Sequence, residues 1–190
     1  MTDPSAAAAL IRDFANTIDV EERTDVFADA DGAADWLRGH GLLDDTTLPG
    51  AADGNEPAFG EDDRLMAVTL RAGFRERLLI TGGGDGDVQK ITQAQRLLDE
   101  LPLSVALGAE AEPLRPVTGT AARIALARVA AAWAHVCATG EWRRLKRCPD
   151  HTCGWVFWDA TRSRTRRWCT MRVCGNRAKT RAYSERRRAG

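Results

Sequence analysis

Four cysteines near the end of the chain, Cys148, Cys153, Cys169 and Cys174, are spaced C-x4-C-x15-C-x4-C. Two close pairs let two tight turns supply four thiolates while the chain between them folds back, which suits the tetrahedral preference of Zn2+. A full set of four cysteines leaves no position for a reactive water, so the expected metal is one structural zinc. His151, three residues after Cys148, is the alternative to Cys153 as a ligand. The surrounding segment adds a second kind of chemistry. From Glu141 to Gly190 there are fifteen Lys or Arg against four Asp or Glu, a net of +11, and the remainder of the chain carries −11. The formal net charge of zero hides this segregation, and a basic segment of such density seeks polyanions.

The elements that must place these residues can be read locally. Cys148-Pro149 and Cys153-Gly154 suit tight turns. Trp155-Val156-Phe157-Trp158 has strong β propensity, Ala160 to Thr165 is polar enough to turn, and Arg166-Arg167-Trp168 can return, which predicts a β-hairpin between the two cysteine pairs. Asn176 is then the expected N-cap of a helix from Arg177 to Arg188. Knuckle, hairpin and helix together are treble-clef-like. On that helix Arg177, Arg181, Ser184 and Arg188 share one face, and Ala178 and Ala182 offer a smooth one for packing on the hairpin. The candidate DNA contacts are Arg177, Lys179, Arg181 and Arg188 of the helix, with Arg162, Arg164 and Arg166 of the hairpin turn on flanking phosphates. Arg147, Arg167 and Arg172 flank the cysteines and are candidates to offset the formal −2 of a zinc tetrathiolate. Trp155, Phe157, Trp158 and Trp168 either form the small core beside zinc or stack on unpaired bases.

The string Arg147-Cys148, Cys153-Gly154-Trp155, Phe157, Asp159, Arg166-Arg167-Trp168-Cys169, Met171 and Cys174-Gly175-Asn176-Arg177-Ala178-Lys179 resembles the CGNR zinc finger, named for the tetrapeptide at Cys174 to Arg177. The resemblance covers about Leu145 to Arg188. Asp13-Phe14-Ala15-Asn16-Thr17 resembles the opening motif of the ABATE-type domain of stress-induced transcription regulators, which commonly precedes that finger. The resemblance implies zinc and DNA binding and names no inducer, operator or regulated gene.

The rest of the chain reads as an α+β, mainly helical N-terminal domain over 1–140, with the finger over 141–190. Helix is expected from Ser5 to Asn16, followed by a short extended piece at Thr17 to Val20, and again from an Asp31 N-cap toward Gly39 and Gly41. Asp44 to Gly60 reads as a loop. Met66, Leu70, Phe74 and Leu78 mark an amphipathic helix, with Arg71 and Arg75 elsewhere on its wheel. Gly82 to Gly86 ends it as a surface loop, because no Gly-Lys-Ser/Thr follows and no strand feeds it. A helix over Val88 to Glu100 and a small hairpin of Leu103–Leu107 with Pro113–Val117 come next. Thr118 or Thr120 then caps a helix striped with Leu126, Val129, Ala130, Trp133, Val136 and Cys137.

No run approaches the roughly 20 apolar residues of a membrane span, so a cytoplasmic, nucleoid-associated protein is expected, with its cysteines reduced. The three histidines, His40, His135 and His151, form no H-E-x-x-H pattern, and no enzyme is expected. The expected function is a zinc-dependent regulator that contacts duplex DNA, while the N-terminal domain senses a small-molecule effector or forms a homodimer. The alternative is an adaptor that docks RNA or an acidic protein, such as transcription machinery, on its basic module.

Overall fold

The alanine run with Leu10, Ile11 and Phe14 forms helix α1 (Ala6–Ala15), started by Ser5, whose hydroxyl accepts a hydrogen bond from the Ala8 N–H at 3.1 Å. The computed structural model describes residues 3–43, 59–107, 113–117 and 119–189. Strands β1 (Ile18–Asp19) and β2 (Thr24–Asp25) pair antiparallel after α1. Helix α2 (Ala30–Gly39) is capped by Asp29, whose carboxylate accepts from the Gly32 N–H at 2.8 Å. Asp31, the expected cap, falls in the first turn, where its charge still faces the positive end of the helix dipole.

Helix α3 (Glu61–Thr81) runs 21 residues through the middle of the structure. At 1.5 Å per residue it is about 31 Å long. Helix α4 (Val88–Asp99), capped by Asp87, lies along it so closely that a Cβ on Gly73 would sit 2.1 Å from Ala94 Cβ. Strands β3 (Leu103–Val105) and β4 (Leu114–Pro116) form the expected antiparallel pair. Residues 108–112, where the hairpin is expected to turn, residues 44–58 of the expected loop, and Thr118 lie outside the described residues. Thr120 caps α5 (Ala121–Ala138), whose Leu126, Val129, Ala130 and Val136 are buried. Helix α5 is long and apolar enough to cross a membrane by length and composition, but here it is a core helix packed on α1. Cys137 corrects the expected stripe. It is exposed, because Val136 takes the inward position at the end of the helix and the next residue turns about 100° away.

Phe14 packs edge-on against Phe27, Trp36 and Phe74, and Trp133 stacks on Phe74 at 4.8 Å. The same core continues into Leu145 and Val156, which lie on β5 (Leu145–Arg147) and β6 (Val156–Trp158). These two strands pair with Leu145 opposite Trp158 and Arg147 opposite Val156. The hairpin therefore differs from the expected one. The strand before Cys148 supplies β6 with its partner, and Arg166 to Trp168 forms no strand. The physical reason is burial: this pairing puts Leu145 and Val156 on one apolar face, which Arg166 and Arg167 could not provide.

A π-helical turn at Met171–Gly175 carries Cys174 and runs directly into α6 (Asn176–Ala189). Asn176 is thus already helical and is not an N-cap. Its side-chain amide donates back to the Arg172 carbonyl at 2.9 Å. Ala178 is half-buried, but Ala182 is exposed, because α6 packs mainly on the turn that precedes it and leaves its distal half in solvent.

Candidate metal centre and nucleic-acid interface

The first cysteine pair sits at the tip of the β5–β6 hairpin. Cys148 donates its N–H to the Trp155 carbonyl at 2.8 Å, and the Asp150 carbonyl accepts from both Cys153 and Gly154, at 2.9 and 2.8 Å. Gly154 has φ +60, and a Cβ there would lie 2.9 Å from Arg75 Nη2, so both backbone and space call for glycine. Of the second pair, Cys174 comes from the π-helical turn and Cys169 from the loop just before it. All four sulfurs lie within 4.8 Å of one another, with Cys153 and Cys174 each 3.5 Å from Cys169. Four ligands about 2.3 Å from a tetrahedral zinc stand roughly 3.8 Å apart, so this cluster could hold one zinc ion. His151 is exposed and lies outside the cluster.

The electrostatics fit the same group. Burial, then the neighbouring sulfurs, push the Cys169 thiol well above its usual range, and burial pushes Cys174 the same way. A central dication reverses that tendency and favours the thiolates. Arg147 Nε is buried with no hydrogen-bond partner among the described residues, and both Arg147 and Arg75 approach the knuckle at Gly154. A zinc tetrathiolate, with formal charge −2, supplies negative charge beside these cations.

Polar contacts tie this module to the helical body. Asn16 mimics a strand neighbour: its amide donates to the Val156 carbonyl and its oxygen accepts from the Val156 N–H, both at 2.8 Å. Arg75 donates to the Ala15 carbonyl at 2.7 Å and to the Gly154 carbonyl at 2.9 Å. Arg147 pairs with Glu76 at 2.7 Å. Glu141 accepts from the Ser5 N–H and hydroxyl at 3.1 and 2.7 Å, which fixes the start of α1. The motif Asp13 to Thr17 now has a physical account. Phe14 enters the core, Ala15 and Asn16 hold the finger, and Thr17 accepts from Arg71 at 3.0 Å, while Arg71 forks onto Asp25 at 2.6 and 2.7 Å. Sequence reasoning placed Arg71 and Arg75 on the polar side of α3, yet both are buried.

The basic loop is organised by a buried pair that sequence reasoning also missed. Lys146 Nζ lies 2.7 Å from Asp159 Oδ2 and donates to the carbonyls of Arg164 and Arg166, and Asp159 accepts from Thr161 and from the Arg166 N–H. Burial pushes the Asp159 carboxyl up, but its bonds with Lys146 and Thr161 outweigh this and hold it below the usual carboxylate range. A depressed carboxylate stabilises the fold above its unfolded pKa and loses that contribution as pH falls through its folded value. Asp159→Asn is therefore expected to cost about 2 kcal/mol at neutral pH and to flatten the loss of stability below about pH 4. Urea unfolding at neutral and acid pH checks both, and a parallel pH profile for the two proteins would exclude this role.

The candidate DNA contacts separate into groups. Arg162 and Arg164 are exposed on the loop, and Lys179 and Arg188 are exposed on α6. Arg166 instead donates to the Trp168 and Cys169 carbonyls and covers the Phe157 ring at 4.8 Å. Arg177 pairs with Glu21, and Arg181 reaches the buried Asp150 at 3.3 Å. Of the aromatics, Phe157 is buried with the cysteines, Trp168 packs beside them, Trp158 packs on the helical core, and Trp155 remains 40% exposed.

A mainly helical body closed by a treble-clef-like, four-cysteine module with a basic exit helix defines a zinc-finger protein of α+β class. Residues 144–187 match the CGNR zinc finger. Residues 8–140 match the ABATE family, described as "putative stress-induced transcription regulator". The second match spans more than half of the chain, which therefore belongs to the ABATE family. No curated protein matches it.

Proposed function

We propose that the protein is a DNA-binding transcription regulator whose zinc module contacts duplex DNA and whose helical part, residues 1–140, senses an effector or mediates dimerisation. It would act in the cytoplasm at the nucleoid, without catalysis. The observation that carries this reading is α6 itself: an open groove of about 790 Å³ runs along it, lined by Arg172, Arg177, Arg181 and Arg188 against a single acidic residue, Glu185. A helix roughly 10–12 Å across suits a major groove roughly 12 Å wide. Arg162 and Arg164 on the adjoining loop are free to take flanking phosphates.

The test is fluorescence anisotropy with duplex DNA over a salt series, using the zinc-loaded protein and a variant in which Arg162, Arg164, Lys179 and Arg188 are all alanine. Affinity should fall more than tenfold. Each lost phosphate contact should make the log–log salt slope shallower by about 0.9. An unchanged slope with zinc retained would reject these residues as the interface.

A second reading rests on two exposed aromatics, Trp155 at 40% and Tyr183 at 57%. They suit stacking on single-stranded RNA or packing on a protein partner. Tighter binding to single-stranded RNA than to duplex, lost on Trp155→Ala, would favour that adaptor.

A further inference from the structure

Beside the zinc module, the β1–β2 turn meets α6 across an open notch of about 570 Å³ lined by Val20, Glu21, Arg23, His151, Thr152, Arg177 and Arg181. Three guanidinium groups and an imidazole from three separated parts of the chain meet there. Two carboxylates oppose them. Asp150, buried beneath, accepts from Thr152 and Arg181 through Oδ1, while its Oδ2 is buried without a hydrogen-bond partner among the described residues. Glu21, at the rim, holds Arg177, which also donates to the Thr152 hydroxyl at 3.4 Å. A carboxylate paired with a guanidinium occupies the donors that a phosphate would use. This pair is exposed, with Arg177 at 38% and Glu21 at 45%, so a more highly charged anion can displace Glu21 at small cost. Arg23 carries φ +57, the left-handed region that few non-glycine residues adopt, and it places a cation where glycine would suit the backbone better.

We propose that this notch is a phosphate-binding site built jointly by the β1–β2 turn and α6, with Glu21 as an internal phosphate mimic that an incoming phosphate displaces. The proposal deepens the DNA-binding reading, because Arg177 and Arg181 belong to both, but its ligand chemistry stands apart. The phosphate comes either from the backbone of bound DNA or from a small phosphorylated molecule. In the first case the helical body touches DNA directly. In the second it carries a ligand site that competes with Glu21 and changes the charge α6 presents.

Zinc-loaded full-length protein, Glu21→Gln and Arg23→Gly are compared by calorimetry with pyrophosphate and by anisotropy with duplex DNA. Arg23→Gly removes the cation and suits the turn, so its thermal midpoint should not fall. For the true ligand, Glu21→Gln should tighten binding about two- to fivefold and Arg23→Gly should weaken it about five- to tenfold. Both responses with DNA assign the site to the nucleic-acid backbone. Both with pyrophosphate alone assign it to a small phosphorylated ligand, and if DNA does not bind at all, the site stands while the regulator reading falls. DNA binding that depends on Lys179 and Arg188 but ignores both variants, with no pyrophosphate binding, overturns the notch and leaves the regulator reading intact. Failure of both probes to bind overturns both.

Discussion

Removal of zinc, by a strong chelator or by Cys174→Ser, is expected to lower the thermal midpoint by more than about 10 °C and to loosen α1 and α3 as well as the finger. Structural zinc contributes on the order of 10 kcal/mol or more to the folding of small cysteine modules. For a chain of this size roughly 4 kcal/mol of lost stability already moves the midpoint by about that much. The effect should spread because Leu145 and Val156 are fully buried in the helical core, and because Asn16 and Arg75 bond to backbone beside the first cysteine pair. An unanchored knuckle exposes that apolar face and strands those donors. Hydrogen exchange along Glu61–Thr81, followed with metal analysis, checks the spread. Loss of zinc with α3 protection unchanged would mean that the finger is a passenger on the body.

What the sequence made legible was what local chemistry decides. The cysteine spacing pointed to the metal cluster because ligand turns are short-range features, and the helices followed from apolar periodicity and, for α5, from a cap at Thr120, one of the two expected positions. Partner choice was harder. The β propensity at Val156 to Trp158 marked a strand correctly, but pairing it with Leu145 to Arg147 depends on a helical core assembled from residues as distant in the chain as Ala8 and Phe14. Arg71 and Arg75 on a helical wheel are indistinguishable from solvent-facing residues. Their burial follows from Asp25, Ala15 and Gly154, separated from them by 46, 60 and 79 positions. The motif around Asn16 carried a signal without a reason until its amide was seen against Val156. Conversely, the arginines of α6 read as uniformly available, and the pairing of Arg177 with Glu21 needed the β1–β2 turn in place.

Arg75→Met is expected to destabilise the protein by about 3 kcal/mol and to speed zinc loss to a competing chelator about tenfold. The side chain is buried, and its two guanidinium nitrogens satisfy the carbonyls of Ala15 and Gly154. Methionine keeps much of the volume but strands two buried acceptors, each at a cost of about 1–3 kcal/mol. One effect opposes this. Burial, then Arg147 and Arg71, drive the Arg75 pKa down to about 10, so the native state strains to keep the cation, and removing it relieves part of that strain. The group is still protonated at neutral pH, and the stranded carbonyls leave the balance unfavourable, though smaller than the sum of two full penalties. Gly154 follows Cys153 directly, so loosening its carbonyl reaches the metal, whereas a defect confined to α3 would lower stability and leave zinc release unchanged. Asn16→Ala provides the comparison: it removes two hydrogen bonds on the neighbouring strand and should cost about 2 kcal/mol with less effect on zinc. If Arg75→Met unfolds within about 0.5 kcal/mol of wild type and releases zinc at the same rate, the bridge from α3 to the knuckle does not couple the two parts of the chain.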